Sequence, residues 1–398
     1  MALDTVYHLH FGAGKLGLGL IVPTIIKMSE GTPTIKTIIV ARYGKEPSDR
    51  RKRYEKLKEM KFYELQTKTK TGTTKSKIED FELIYSDAEG GRLQEYLTDP
   101  KTLLITTSVG GGLDDIAEDI TKGIVLRSKT GVNPLLILAC ENLPLRSSTL
   151  YDYIIDRLRS KSEKKDQTPD QILDHIVFGR TIADKICPED PYFDDDKVVL
   201  PPVEADGRLV VLKKGVEGDL LSILREPLIV VDSEEEFDFL EKQKTWLVNG
   251  VQFVLSLFAT KYNASTLQGA LQNEEVSNSF RLMQEAYGKA LFVFGQNLKS
   301  NSSLYSPENI REFSKNVLER LTYGPKDTPG RILKEISGWD GSQEKYHKLM
   351  IKVALRLIEP LDKLLNSVQK ETNLHMTVAT TKALVTLLNI LDITPSKP

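Results

Sequence analysis

Three glycines, Gly12, Gly14 and Gly17, stand in Gly-x-Gly-x-x-Gly spacing within His10-Phe-Gly-Ala-Gly-Lys-Leu-Gly-Leu-Gly19. Such spacing suits a phosphate cradle. One glycine makes a tight turn, the second lets bare backbone approach a pyrophosphate, and the third lets a helix pack closely on the preceding strand. The apolar run Val6 to Phe11 before the motif and the apolar helical run Leu16 to Met28 after it supply the required strand, turn and helix. This predicts a dinucleotide loop made of Gly12, Ala13, Gly14, Lys15, Leu16 and Gly17; the competing reading is a tight structural turn. The second strand then ends Ile38-Ile39-Val40-Ala41-Arg42, where an NAD-binding version would place a ribose-binding carboxylate. A guanidinium at that point favours NADP over NAD by pairing with a 2′-phosphate, unless Arg42 is a solvated strand-end residue and selectivity is set elsewhere.

A second group of polar residues lies in Lys244-Thr-Trp-Leu-Val-Asn249-Gly-Val-Gln252. On an α-helix at about 100° per residue, Lys244 and Asn249 are about 140° apart with Gln252 between them, so the three share one broad face. A lysine at a helix start is otherwise a solvated charge. The His, Cys, Asp and Glu residues nearby show no zinc spacing, and no metal is expected.

The elements that position these groups read as α/β. Strand-like runs at Val6 to Phe11, Thr37 to Val40, Phe81 to Tyr85, Leu103 to Thr107 and Leu135 to Ala139 alternate with helical stretches, which predicts a doubly wound parallel sheet. Further strands are expected at Ile176 to Val177, Lys197 to Leu200, Leu209 to Leu212 and Pro227 to Val231, extending the sheet, with a hairpin turn at Asp206-Gly207. After about residue 240 the period becomes helical, in Trp246 to Phe258, Glu275 to Asn297, Pro307 to Leu321, Glu344 to Glu371 and Met376 to Leu391. Two domains are therefore expected, a Rossmann-like dinucleotide domain over 1–240 and a mostly α-helical substrate domain over 241–398. Ser306-Pro307 marks a capped helix start. The charged stretch Ser160 to Asp170 reads as a surface loop or a frayed helix end.

The 54 basic and 56 acidic side chains leave a formal charge of −2, which gives no global argument for nucleic acid or an anionic membrane. Lys45 to Lys77 is locally basic, but it has few aromatics and interleaved acids, so a solvated helix face and a Lys/Thr hairpin are favoured over a nucleic-acid surface. Two cysteines, Cys140 and Cys187, with no targeting or membrane-spanning signal, point to a reducing compartment, the cytoplasm. A monomer and a homo-oligomer are both compatible with the sequence.

The chain resembles the polyol-specific long-chain dehydrogenase/reductase family, which is mannitol dehydrogenase-like. The matching pieces are His10-Phe-Gly-Ala-Gly-Lys-Leu-Gly17, Ile105-Thr-Thr-Ser-Val-Gly110, Ala139-Cys-Glu-Asn142, Ala183-Asp-Lys-Ile186 and Lys244-x4-Asn249, in the family's order and approximate spacing over most of the chain. Leu267 to Leu291 also resembles the family's helical continuation. The resemblance implies NAD or NADP as cofactor, a small polyol, ketose or their phosphate as partner, and cofactor contacts that extend from the glycine loop and Arg42 to Thr107, Val109 and Glu141. It makes Lys244 the general base, its ammonium destabilised by burial or nearby charge, and Asn249 the donor to the developing alkoxide. Asn142 becomes a second polar anchor, and Asp184 either holds a substrate hydroxyl or the lysine, or caps a helix or turn. A substrate phosphate would need cations, for which Lys326, Arg331 and Lys261 are candidates unless they are surface charges. Two departures stand out: Gln252 replaces the family histidine three residues after the asparagine, and Lys185 stands where arginine is usual. Glutamine can orient a hydroxyl but cannot titrate. The sequence therefore leaves open a divergent dehydrogenase and a non-catalytic sensor or structural protein that keeps the fold. A third option is an interaction protein recruiting a macromolecule through the basic segment or the C-terminal helices.

Overall fold

A computed structural model describes residues 4–42, 48–130, 134–141, 146–162, 167–194, 196–300, 302–333 and 349–370. Its strands are β1 (Thr5–Phe11), β2 (Thr34–Ala41), β3 (Tyr63–Thr69), β4 (Gly72–Ile78), β5 (Phe81–Tyr85), β6 (Thr102–Thr107), β7 (Leu135–Ala139) and β8 (Ile176–Gly179). Five more follow: β9 (Thr181–Asp184), β10 (Tyr192–Asp194), β11 (Lys197–Glu204), β12 (Arg208–Leu212) and β13 (Ile229–Val231). The chain divides into two compact units, Met1–Ser233 and Glu234–Pro398.

In the first unit six strands pair in the order β5-β2-β1-β6-β7-β8, all parallel. Every residue of β6 and β7 is buried, as expected for strands covered by helices on both faces. Alternation along β1 shows the two faces. Leu9 and Phe11 join Ile38, Ile105 and Ile137 in one core with Leu93, Ile120 and Ile154 from helices, whereas Val6 packs the other way with Ile21, Ile25, Leu104 and Leu136. The strand order reverses at β1, so the loops after β1 and β6 flank the crevice where ligands bind in open α/β sheets.

The sheet does not extend as the sequence suggests. β8 is its last strand, and the later strands build two separate sheets, β10-β11-β3-β4 and β13-β12-β9. Asp206-Gly207 consequently makes no hairpin, because β11 pairs with β3 while β12 pairs with β9 and β13. Residue-level turn chemistry cannot reveal that two flanking strands choose different partners. Within the basic segment, the helix Asp49–Met60 and the antiparallel pair β3 and β4 carry its charges, several of them beside acids: Arg51 with Glu55, Lys56 with Glu59 and Lys75 with Glu64.

The second unit is helical over its described residues. Its longest helix, Glu274–Gln296, is capped by Asn273 and buries Val276, Phe280, Met283, Tyr287 and Leu291 at helical spacing. Pro307–Tyr323 begins with Ser306 accepting from Asn309 N–H at 3.2 Å. The expected helix Met376 to Leu391, the span 334–348 and part of Ser160 to Asp170 lie outside the described residues. No described helix is long and apolar enough to cross a membrane.

Candidate functional site

β1 ends at the glycine loop, where Gly12 N–H donates to Val40 O at 3.0 Å and Gly12 adopts φ +116°. A β-carbon at Gly12 would lie 2.9 Å from Ser108 O, and one at Gly17 would lie 2.6 Å from Ser108 Oγ and run into the His10 ring. A β-carbon at Gly14, by contrast, would meet nothing within 4 Å. Two glycines are thus closed by packing and the middle one is open, which fits the approach of a pyrophosphate to bare backbone. The helix that starts here passes through a π-turn at Gly17–Ile21, with Val22 N–H bonded to Gly17 O, and continues to Met28. Its first N–H groups have no partner within the helix and favour an anion. Ala13 is buried and Leu16 half-buried. Lys15 turns aside, donating to Pro188 O at 2.9 Å. At the end of β2, Arg42 pairs with Asp115 at 3.2 Å, both side chains more than half exposed (55% and 62%).

Thr107, Val109 and Glu141 come together at the ends of β6 and β7. Thr107 Oγ1 donates to Glu141 Oε2 at 2.9 Å and Val109 N–H donates to Oε1 at 3.0 Å, so the buried carboxylate ties the β6 loop to β7. Asn142 lies outside the described residues. Asp184 ends β9, buried, opposite Arg208 in β12, whose Nε donates to Asp184 Oδ2 at 3.3 Å. It is thus an ion-pair partner of Arg208 at the end of a strand.

Sequence reading passed over a buried polar chain beneath the glycine loop. His8 Nδ1 lies 3.3 Å from Thr37 Oγ1 and its Nε2 lies 2.7 Å from Thr106 Oγ1; Thr106 Oγ1 is also 2.7 Å from His10 Nδ1, and His10 Nε2 is 3.0 Å from Ser108 Oγ. The signal was present: His8 and His10 alternate onto one face of β1, and Thr106 pairs with His10 in β6. Burial holds His10 down at about 3 and His8 well below the usual imidazole range. An unfolded chain takes up protons as pH falls below about 6.5, and the folded chain refuses them until near 3. Stability contributed by these rings is therefore complete above 6.5 and lost progressively as pH falls towards 3. Urea midpoints measured from pH 7 to pH 4 should drop by the equivalent of a few kcal/mol, with a shallower slope in His8→Asn. A flat profile would contradict the neutral pair.

In the second unit, Lys244 opens a π-turn, Lys244–Gly250, between the α-helices Glu234–Gln243 and Val251–Lys261. This differs from the α-helix expected from the sequence. The turn is closed by Val251 N–H bonding back to Trp246 O, and its wider winding brings positions five apart, such as Lys244 and Asn249, nearer one face than an α-helix would. Gly250 is needed here, since a β-carbon would lie 2.8 Å from Arg356 O and 2.9 Å from the Tyr287 ring. Lys244 (6% exposed) and Gln252 (7%) are buried, and Asn249 is half-buried. Gln252 Nε2 is buried with no hydrogen-bond partner among the described residues. Of the suggested phosphate cations, Arg331 is engaged through two nitrogens by the buried Asp327, while Lys326 and Lys261 are exposed. No group of three or more His, Cys, Asp or Glu placed to hold a metal occurs among the described residues.

Residues 7–227 match the family model for the mannitol dehydrogenase Rossmann domain. The chain belongs to the mannitol dehydrogenase family. Among curated relatives, mannitol-1-phosphate 5-dehydrogenase of Thermoanaerobacter pseudethanolicus is 26% identical over 316 residues, 78% of this chain and 71% of that one. The enzyme of the same name from Streptococcus pneumoniae serotype 4 is 25% identical over 323 residues, 79% and 74% of the two chains. Two solved structures share the fold at 14% identity: a substrate-free D-sorbitol dehydrogenase (TM-score 0.70, covering 96% of this chain and 83% of that one) and Pseudomonas fluorescens mannitol 2-dehydrogenase in ternary complex with NAD and D-mannitol (0.67, 96% and 82%). Set in the mannitol dehydrogenase family, Lys185 is half-buried with its stem across Gly207, and burial pushes its ammonium below the usual lysine range.

Proposed function

We propose that this protein is an NAD(P)-dependent oxidoreductase that interconverts a polyol or polyol phosphate with the corresponding ketose. The observation that carries the reading is the glycine cradle, open at Gly14 and closed at Gly12 and Gly17, in a member of this family. The bound nicotinamide would supply hydride exchange with the alcohol carbon. Lys244 removes the alcohol proton during oxidation and returns it during reduction. Asn249 donates its amide to the developing alkoxide, Asn142 serves as a second polar anchor, and the unpartnered Gln252 Nε2 orients a substrate hydroxyl. The relatives' names suggest mannitol 1-phosphate and fructose 6-phosphate as the first pair to assay. The test follows NAD(P)H oxidation with fructose 6-phosphate, fructose and related ketoses. Turnover supports the reading. Clear cofactor binding without turnover would support the alternative of a non-catalytic dinucleotide or sugar-phosphate sensor, which rests on Gln252 being unable to titrate.

For cofactor choice we infer NADP(H), with Arg42 meeting the 2′-phosphate. Its exposed pairing with Asp115 is weak enough to exchange for that contact. Arg42→Ala should weaken NADPH binding about tenfold and leave NADH unchanged, read by fluorescence titration. NADH binding as tightly as NADPH in the unsubstituted protein would contradict this.

A further inference from the structure

The buried chain from Thr37 to Ser108 has a direction. Each neutral imidazole has one donor and one acceptor nitrogen, and each hydroxyl has one hydrogen. Burial keeps both rings neutral. Gly12 O, which can only accept, and His10 Nε2 both border the point that a Gly17 β-carbon would occupy, Gly12 O at 3.0 Å from it, and the Gly12 backbone favours the protonated ring. That places the His10 hydrogen on Nε2, where it also reaches Ser108 Oγ at 3.0 Å. His10 Nδ1 must then accept from Thr106 Oγ1, which in turn accepts from His8 Nε2–H, and His8 Nδ1 accepts from Thr37. Every hydrogen points towards the glycine loop. The far end agrees, because Thr37 is fully buried and its hydroxyl has no other side-chain bond among the described residues, so its hydrogen is used only in this direction. Ser108 Oγ accepts from His10 and keeps its own hydrogen to donate.

The Ser108 hydroxyl lies where a ligand would meet it. It sits 2.6 Å from the point a Gly17 β-carbon would occupy and 3.1 Å from that of Gly12, is half-buried, and is followed by Gly110 and Gly111, where an added β-carbon would meet nothing within 4 Å. We propose that Ser108 donates a hydrogen bond to the pyrophosphate of the bound dinucleotide, with its polarity fixed by the His10, Thr106, His8 and Thr37 chain. This makes Ser108 a cofactor contact and His10 a positioning residue acting through it. The proposal rests on the dinucleotide reading given above.

Ligand titrations of the full chain test it, using NADPH, NADH, ADP-ribose and adenosine against Ser108→Ala, His10→Asn and the double variant. Loss of a hydrogen bond to a charged oxygen should weaken ADP-ribose and both dinucleotides about tenfold or more in Ser108→Ala, with adenosine unchanged. His10→Asn should weaken the same ligands, and the double variant should be no worse than Ser108→Ala alone. That non-additivity is something a merely structural role would not produce. Ser108→Ala with unchanged melting temperature and unchanged ADP-ribose affinity would overturn the proposal, as would an equal loss for adenosine, a loss confined to the dinucleotides, or additive effects in the double variant. Should the unsubstituted protein bind neither dinucleotide, the cofactor reading itself fails, which is a separate result. Should His10→Asn not fold, Ser108→Ala alone decides.

Discussion

Replacing Lys244 with alanine is expected to lower the rate of ketose reduction by about 10²–10⁴-fold while cofactor affinity stays at the unsubstituted value. The lysine is buried on a continuous helical run, in company with the unpartnered amide of Gln252 and the half-buried Asn249. Alanine keeps helix propensity, so the variant removes the amine without unwinding the turn. Lys244→Arg gives the sharper form of the test. A guanidinium keeps the charge but does not give up its proton near neutrality, and so should be about as inactive as alanine if the role is that of a base. If arginine restores turnover, Lys244 acts as a fixed charge and the base assignment is wrong. Separate measurement of kcat and of cofactor Kd is needed, because a fall in both would indicate a damaged fold.

The glycine loop gives the second large effect, and its two kinds of glycine should fail differently. Gly17→Ala puts a methyl group into Ser108 Oγ and the His10 ring, which are held by the buried hydrogen-bond chain and cannot simply swing away. Overpacking of this kind should cost about 1–3 kcal/mol of stability in addition to at least a tenfold loss of cofactor affinity. Gly14→Ala meets no protein atom within 4 Å. It should leave the urea midpoint near its original value while weakening cofactor binding at least as much, since the methyl group would occupy the space proposed for the pyrophosphate. Unimpaired NAD(P)H binding by Gly14→Ala would show that the open side of the loop is not the phosphate site.

These two predictions draw on features that the sequence disclosed unequally. Gly12, Gly14 and Gly17 were readable because a strand run precedes them and a helical run follows, and the hydrophobic strands β1, β2, β5, β6 and β7 announce themselves as short buried runs. Which sheet a strand joins was not readable. Arg208 to Leu212 pairs with β9 before it in the chain and β13 after it, and Asp206-Gly207 carries no record of either partner. The π-turn at Lys244–Gly250 was equally hidden, since the apolar residues Trp246, Leu247 and Val251 satisfy an α-helical period almost as well, and the close approach of Tyr287 and Arg356 to Gly250 comes from distant parts of the chain. For Asp184, only the register of β9 against β12 reveals Arg208 opposite it. For Ser108, spacing alone says nothing, because its significance comes from a hydrogen-bond chain assembled across three strands, β2, β1 and β6. Family resemblance supplied what local pattern could not, namely the expectation that Lys244 and Asn249 act together.

In the proposed reaction a dinucleotide held by the glycine cradle exchanges hydride with a sugar under general-base control by Lys244. Its most direct test is a steady-state assay of NADPH and NADH oxidation by the purified protein with fructose 6-phosphate and fructose, run beside Lys244→Ala at matched cofactor occupancy. Ketose-dependent oxidation is expected, falling by at least about 10²-fold in the variant. Equal rates in the two proteins, or saturable cofactor binding with no oxidation by any ketose tried, would contradict it.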